Sequence, residues 1–150
     1  MDNSFGHWLA GFVDGEGSFL ITKFGSSGRV HCSFRIALHY KDAPILREIA
    51  ERTGLGRITM QKCPSQKSAG VQWTVGRKAE CLALVELFEK YPLRAKKRRD
   101  FEIWARAVRL HNEMSQGNQH TTPNDYSEMG ALRRELRAGR PNRGPKMVVV

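Results

Sequence analysis

An apolar segment near the start of the chain ends in two acidic residues, Asp14 and Glu16, with Gly15 between them. Gly11 and Gly15 are one helical turn apart, so a helix over this segment would place both on one face. Small residues at that spacing let a second helix approach almost backbone to backbone. If that helix comes from another copy of the chain, two-fold symmetry brings two Glu16 carboxylates together. Paired carboxylates repel each other unless a cation lies between them, so the spacing predicts a divalent metal site at a dimer axis.

The same acids have simpler interpretations. A solvated helix end or a turn would need no metal, and the spacing alone does not decide between that and a metal site. A calcium-binding loop of the EF-hand type is excluded. If the loop began at Asp14, it would place Phe19 where glycine is required and Gly25 where a bidentate acid is required.

A polar sheet face is predicted by the alternation of residue types in 29–38 and again in 70–76. Such a face fits the major groove of DNA as a two-stranded ribbon, and we call it the reading face; an ordinary solvated sheet face is the alternative. Leu20 and Phe24 share it unless a bulge near Lys23 shifts the register. The residues assigned to the reading face are Thr22, Arg29, His31, Ser33, Arg35, Arg57, Thr59, Gln61, Gln72 and Thr74.

The elements that would position these residues follow from apolar periodicity and from turn residues. The order is helix, two strands, helix, two strands, helix, then more helix. This order predicts an α+β domain with one four-stranded antiparallel sheet backed by helices. The domain covers residues 1–138, and a basic tail rich in Pro, Gly and Arg over 139–150 is expected to be loose. The predicted strands cover 18–24, 30–38, 56–62 and 70–76, and the predicted helices include 5–14, a segment capped by Asp42 and Gly54, 81–88, 101–108 and 125–137.

The charge of the chain points to a polyanionic partner. Its net charge is +10, from 25 Lys and Arg against 15 Asp and Glu. Nucleic acid is the leading candidate, an acidic membrane surface comes second, and a generic solvated surface is the bland alternative. Two basic clusters suit phosphate contacts, and either could instead be a solvated helix surface: Lys96 to Arg99, and a later group that includes Arg133, Arg134 and Arg137.

Several classes of protein are disfavoured by the composition. Three cysteines without a C-x-x-C pair argue against a disulfide framework and for a reducing compartment. No apolar run reaches the roughly 18 residues that a membrane helix needs, so we expect no membrane partner. We also expect no small-molecule substrate.

The segment LAGFVDGEGSF, residues 9–19, resembles the LAGLIDADG motif of homing endonucleases. The resemblance continues in HYKD at 39–42 and GLGRI at 54–58, which are similar to the family's passage from second to third strand. It continues again in YPL at 91–93 followed by Lys96 and Lys97, which resembles the stretch that carries the family's basic active-site residue. Together these segments extend across most of the chain.

The resemblance implies an αββαββα LAGLIDADG fold whose sheet forms a DNA-binding saddle. Members with one motif act as homodimers, and this chain has one, so Gly11 and Gly15 are expected at the dimer interface. The metal-binding acid falls on Glu16 and the adjacent carbonyl on Gly15. The active-site lysine falls best on Lys96, with Lys97 possible if the register slips by one.

The remaining family positions are assigned in the same way. Lys97 and Arg98 are then expected to contact phosphates. Leu38 occupies a position where the family often has glutamine, which leaves the catalytic rate in question. The implied cofactor is Mg²⁺, or another divalent cation such as Mn²⁺, or Ca²⁺ in a trapped complex.

The implied activity is that of a site-specific homing endonuclease. As a homodimer it would cut both strands of a long, pseudo-palindromic DNA site by metal-dependent hydrolysis, leaving short 3′ overhangs. The alternatives are an RNA maturase and a DNA-binding regulator without cleavage, both on the same fold. Because the family occurs in organelles and prokaryotes, the expected location is a chloroplast, a mitochondrion or a prokaryotic cytoplasm.

Overall fold

The computed structural model describes residues 1–25, 29–61, 69–116 and 123–139. Most of the predicted Gly25–Gly28 turn and the tail from Arg140 lie outside these residues. The predicted order of elements is confirmed, although the helix predicted around residues 101–108 is much longer than its apolar repeat. The elements are α1 (Asn3–Glu16), β1 (Gly17–Phe24), β2 (Arg29–His39), a 3₁₀ turn (Tyr40–Asp42), α2 (Ala43–Thr53), β3 (Arg57–Gln61), β4 (Gly70–Val75), α3 (Lys78–Lys90), α4 (Lys97–Gln116) and α5 (Pro123–Ala138).

The four strands form one antiparallel sheet in the order β1-β2-β4-β3, so β1 and β3 are its edges. Pairing of β1 with β2 is continuous from Gly17 opposite Ile36 to Phe24 opposite Arg29. That continuity excludes a bulge near Lys23. Leu20 and Phe24 therefore share the reading face, as unbroken alternation requires.

The hydrophobic core lies between the other face of the sheet and the helices. Phe34 and Trp73 are completely buried on that face, as the alternation predicts. The Phe19 ring lies 4.9 Å from the Phe34 ring and 5.2 Å from the Trp104 ring of α4, which joins the helical layer to the sheet. Truncating such a buried ring to alanine costs about 3–5 kcal/mol, so these contacts hold the sheet rigid under the reading face.

Two buried cysteines belong to this core. Cys32 on β2 and Cys81 on α3 are free thiols, and burial raises the pKa of each to about 12. Thiols held protonated in this way pack as small apolar groups and are poor metal ligands and nucleophiles. Cys63 lies outside the described residues.

Glycines fix two of the connections between elements. Gly54 has a φ of +67° and ends α2 in the left-handed conformation, which is the predicted C-cap. At Gly17, a Cβ atom would lie 2.7 Å from Val13 Cγ1 and 3.0 Å from Phe34 Cε2. A larger residue would therefore force α1 and β1 apart at the point where the acidic segment meets the sheet.

None of the described helices combines the length and the apolar character needed to cross a bilayer.

Candidate active site and nucleic-acid interface

Glu16 is the last residue of α1, and the chain passes directly from it into β1. Its side chain is exposed and has no hydrogen bond or ion pair with any residue that the structure describes. The close packing of Gly17 fixes the backbone on one side of it. The carboxylate is thus held at a rigid junction while remaining available to a ligand.

Lys97 is the basic residue that reaches this junction. Its Nζ donates a hydrogen bond to the carbonyl oxygen of Gly17 at 2.5 Å, and its side chain is half-buried. Lys96 is exposed, and no contact of its side chain with the junction is found among the described residues. Lys97 is thus the lysine of this pair whose side chain contacts the junction.

Asp14 connects the acidic segment to the stretch before α4. Its Oδ2 accepts hydrogen bonds from the backbone N–H groups of Arg94, at 2.8 Å, and Ala95, at 3.1 Å. Its Oδ1 is buried without a hydrogen-bond partner among the described residues. Asp14 is therefore neither a solvated helix end nor a free metal ligand, because its carboxylate positions the segment that leads into Lys97.

Only a few donors of one chain are available to a cation at this junction. Within the described ranges, no three His, Cys, Asp or Glu side chains are grouped so that they could hold a metal ion. One chain thus offers the Glu16 carboxylate and the adjacent Gly15 carbonyl. Magnesium commonly binds one or two carboxylates and completes its shell with water and phosphate oxygens. The donor set fits such an open site shared with DNA and does not fit a cage made by one protein chain.

One side of α1 is left uncovered. Trp8, Gly11, Phe12 and Gly15 lie along it at helical spacing, and we call them the open face of α1. Trp8 is 42% exposed, and its ring stacks on that of Phe12 at 5.2 Å with an interplanar angle of 15°. A Cβ atom at Gly11 or Gly15 would meet nothing within 4 Å. Packing within the chain therefore does not require glycine at either position.

Trp8 is a candidate interface residue that the sequence argument missed. The opposite side of α1 buries Phe5, Leu9 and Val13 in the core. With Trp8 and Phe12 added, the helix is apolar on both sides, which is a signal that a second surface covers it. The apolar residues on this second side, Trp8 and Phe12, can be identified from the sequence alone.

The sheet register brings the predicted reading residues together in rows across one face. Arg35 lies opposite Thr74, and Thr74 lies opposite Arg57 on the edge strand. The remaining residues follow the same alternation, and none is fully buried. The cross-strand pairs on this face are Thr22 with His31, Leu20 with Ser33, Phe24 with Arg29, Thr59 with Gln72 and Gln61 with Gly70.

Several members of the reading face already have contacts within the chain; Thr22 Oγ1, for example, donates to the carbonyl oxygen of His31 at 3.3 Å. Gln72 Nε2 donates to Thr74 Oγ1 at 2.8 Å, which fixes the orientation of the amide. His31 is half-buried, and burial together with the charge of Lys78 lowers its pKa. An imidazole that stays neutral has one donor and one acceptor nitrogen, so His31 could contact either type of base edge.

Arg98 is not brought to the reading face. It lines a groove between α3 and α4, and its Nε pairs with the Glu102 carboxylate at 3.1 Å. Its phosphate contact remains a prediction, with less structural support than the sheet residues have. Leu38 packs against the core, so this position adds no polar group to the junction.

The likeness to known sequences extends over most of the structured chain. Residues 9–108 match the family described as LAGLIDADG endonuclease. The probable intron-encoded endonuclease 4 of Neurospora crassa is 29% identical over 103 residues, which cover 69% of this chain and 17% of that protein. The probable intron-encoded endonuclease Cox1-I1b of Schizosaccharomyces pombe is 25% identical over 107 residues, which cover 69% of this chain and 27% of that protein. The chain thus spans less than a third of the length of these curated relatives.

Solved structures show the same fold. The LAGLIDADG meganuclease I-AabMI, bound to uncleaved DNA, matches with a TM-score of 0.77 and 30% identity over 92% of this chain and 46% of that one. The archaeal intron-encoded homing endonuclease I-Vdi141I, complexed with DNA, matches with a TM-score of 0.78 and 22% identity over 99% and 91%.

The matched region covers the α1–β1 junction. The sequence match begins at Leu9 in the acidic segment and ends in α4, so it includes Glu16, the whole sheet and Lys97. The structural match adds the arrangement of helices on one side of a four-stranded sheet. The chain belongs to the LAGLIDADG endonuclease family.

Proposed function

We propose that this protein is a homing endonuclease that cuts both strands of a long DNA site as a homodimer, using a divalent cation held by Glu16. The observation that carries the proposal is the α1–β1 junction. There the exposed Glu16 carboxylate has no partner among the described residues, and the Lys97 amine binds the carbonyl of the next residue, Gly17, beside a polar sheet face. Family membership and the net charge of +10 support a DNA substrate.

The metal would be held by the Glu16 carboxylate and the Gly15 carbonyl, with a DNA phosphate and a second chain completing its shell. When bound, Mg²⁺ would neutralise charge on the scissile phosphate and make a water molecule a better nucleophile. Mn²⁺ could replace it, and Ca²⁺ could hold the complex without turnover. Family relatives generally need a divalent metal, which supports this assignment.

The residues of the chain then have separate tasks in hydrolysis. Glu16 would hold the cation, and Lys97 would order the attacking water or stabilise the charge that develops on the phosphate oxygens. Water oxygen bonds to phosphorus while the bond from phosphorus to the 3′ oxygen breaks, which leaves a 3′-hydroxyl and a 5′-phosphate. Asp14 keeps the Lys97 segment in place and does not touch the substrate.

The dimer is proposed from the open face of α1. A stacked pair of aromatic rings and two glycines without neighbours form a surface suited to the same helix of a second chain. That arrangement would place one Glu16 from each chain near the two-fold axis. Each chain would then cut one strand across the minor groove and leave short 3′ overhangs.

Recognition is proposed for the reading face. Two copies related by two-fold symmetry would present the same rows of side chains to the two halves of the target, so the site should be roughly palindromic. Arginine can contact guanine through O6 and N7, and glutamine can contact adenine through N6 and N7. Leu20 and Phe24 would meet thymine methyl groups.

The location is proposed from the relatives. Fungal proteins that are similar to this chain are named as intron-encoded endonucleases, and a protein of this kind acts where its intron resides. An organelle or a prokaryotic cell fits that description.

The proposal is tested by offering the purified full chain, with Mg²⁺, a plasmid library in which one segment is randomised, and sequencing the linear products. We expect a recurring pair of half-sites with inverted symmetry and no product in EDTA. Failure to linearise any plasmid, with intact folded protein, would contradict the endonuclease function. Binding without cleavage would favour a DNA-binding regulator.

A further inference from the structure

The helix α5 follows the core elements of the fold and is attached to them by one apolar stripe. Met129, Leu132 and Leu136 are 1%, 6% and 1% exposed, and they hold the helix against α4 and the β1–β2 pair. The remaining surface of the helix is therefore fixed in direction relative to the reading face.

From Tyr126 onward, charges on α5 are separated by sign around that stripe. At about 100° per residue, Glu128 and Glu135 fall on one flank, and the three arginines fall on the other. Glu135 faces α4, where its carboxylate binds the Arg106 guanidinium at 2.8 Å. A helix that merely faces solvent has no need to sort its charges in this way. The arginines of the other flank are Arg133, Arg134 and Arg137.

The basic flank borders the edge of the sheet. Arg133 and Lys23 together line two grooves between α5 and β1. Arg134 lines one of them, and Arg137 lines the other together with Thr22, a residue of the reading face. A duplex lying across the reading face would pass these cations where it leaves the sheet at β1.

These cations have no acidic partners in the part of the chain that the structure describes. Ion pairs there use Arg52, Arg98, Arg99, Arg106 and Arg109. Arg133 Nε is in addition buried without an acceptor among the described residues. A buried donor without a partner is costly unless a ligand supplies the acceptor. The flank thus combines uncompensated positive charge with an unused donor.

We propose that Lys23, Arg133, Arg134 and Arg137 form a phosphate-binding flank that grips the target DNA outside the base pairs read by the sheet. The inference rests on the proposed function and deepens it, because it extends the footprint beyond the sheet. DNA is favoured as the partner because the flank is continuous with the reading face at Thr22. Guanidinium and ammonium groups pair readily with backbone phosphate oxygens, so the contacts add affinity without adding base preference.

The test compares two triple variants of the full chain. One is Arg133→Gln, Arg134→Gln and Arg137→Gln, and the matched control removes the same charge from the helical layer by Arg47→Gln, Lys90→Gln and Arg109→Gln. Because Arg133 is half-buried, the double variant Arg134→Gln and Arg137→Gln, both at exposed positions, serves if the first triple variant does not fold. Affinity is measured over a range of salt concentrations for a long random-sequence duplex, and for the selected site with and without flanking DNA.

For the flank variant, we expect the magnitude of the slope of log K against log salt concentration to fall by about 0.9 for each phosphate contact removed. For the control variant, the slope should change much less. The wild type should prefer the site with flanks, and the flank variant should lose this preference while keeping its base preference. Equal behaviour of the two variants on the random duplex would overturn the proposal. An altered base preference of the flank variant would also overturn the proposal. A flank variant that loses binding to structured RNA but binds the duplex as the wild type does would overturn it as well. Lack of any selected site for the wild type would instead count against the proposed function, and the random duplex would still test the flank.

Discussion

Lys97 donates from Nζ to the carbonyl oxygen of Gly17 at 2.5 Å, so the amine of α4 lies on the residue that follows Glu16. This hydrogen bond anchors the Lys97 ammonium group beside the residue that is proposed to hold the metal. The contact connects two segments eighty positions apart in sequence. It also places the Lys97 amine at the turn that carries Glu16.

The assignment of Lys97 predicts a contrast between neighbouring lysines. Lys97→Met should lower single-turnover cleavage by roughly 10²–10³, the cost of removing one group that stabilises transition-state charge. Its effect on DNA affinity should be small. Lys96→Met is the matched control, with the same lost charge at an exposed position. The reverse pattern, with Lys96 essential and Lys97 dispensable, would restore the register expected from the sequence.

The proposed dimer can be tested by enlarging the side chain at Gly11. Gly11→Ala should be tolerated, whereas Gly11→Leu should hold the two α1 helices apart. Light scattering should give twice the 17.0 kDa chain mass for wild type and the chain mass for the leucine variant. Because a Cβ atom at Gly11 meets nothing within 4 Å among the described residues, the melting temperature of the isolated fold should change little. A monomeric wild type, with and without DNA, would rule out the proposed symmetry.

The reading face predicts localised changes of specificity. Arg35→Ala and Gln72→Ala should each change preference at one or two base pairs per half-site, at a cost of about 1–3 kcal/mol for a lost bidentate contact. Phe34→Ala is a contrasting core variant that should destabilise the fold without a new base preference. A cleavage profile over randomised half-sites measures both effects. Uniform weakening at all positions by the Arg35 variant would mean that it contacts phosphate.

His111, near the end of α4, should make the free energy of unfolding depend on pH. Burial, together with Lys78 and His31, lowers the pKa of His111 from 6.5 to about 4. These groups, with Arg29 of β2, line the groove that contains the imidazole. Because the unfolded chain binds a proton near pH 6.5 and the folded chain does not, stability should fall as the pH drops from 6.5 towards 4.

The check is a series of denaturant titrations across that range. His111→Gln removes the titrating group, so the difference in unfolding free energy between variant and wild type should shift in favour of the variant as the pH falls. A difference that stays constant with pH would show that His111 does not carry the effect.

The sequence predicts the fold well because its signals are local. Alternation places Phe34 and Trp73 in the core and Arg35 and Gln72 on the reading face, and Gly54 ends α2 as predicted. These local signals do not decide between Lys96 and Lys97 as the active-site lysine. Shifting the alignment by one residue in the loop before α4 leaves the local pattern of residue types unchanged. The distinction depends on where α4 begins relative to Gly17.

The role of Asp14 depends on contacts distant in sequence. Its partners are backbone N–H groups about eighty residues away, which carry no side-chain signature in the sequence. The function proposed for the charges on α5 also depends on a distant segment, because it requires β1 to lie beside Arg133. Packing between distant segments, which periodicity does not specify, decides both.

Glu16 is proposed to hold the catalytic cation, and single-turnover cleavage of the selected site by Glu16→Gln in Mg²⁺ tests this most directly. The substitution keeps the shape of the side chain and removes the charge that a divalent cation requires. We predict loss of detectable cleavage with DNA affinity in EDTA unchanged. Cleavage at the wild-type rate, with the same dependence on Mg²⁺ concentration, would contradict the account.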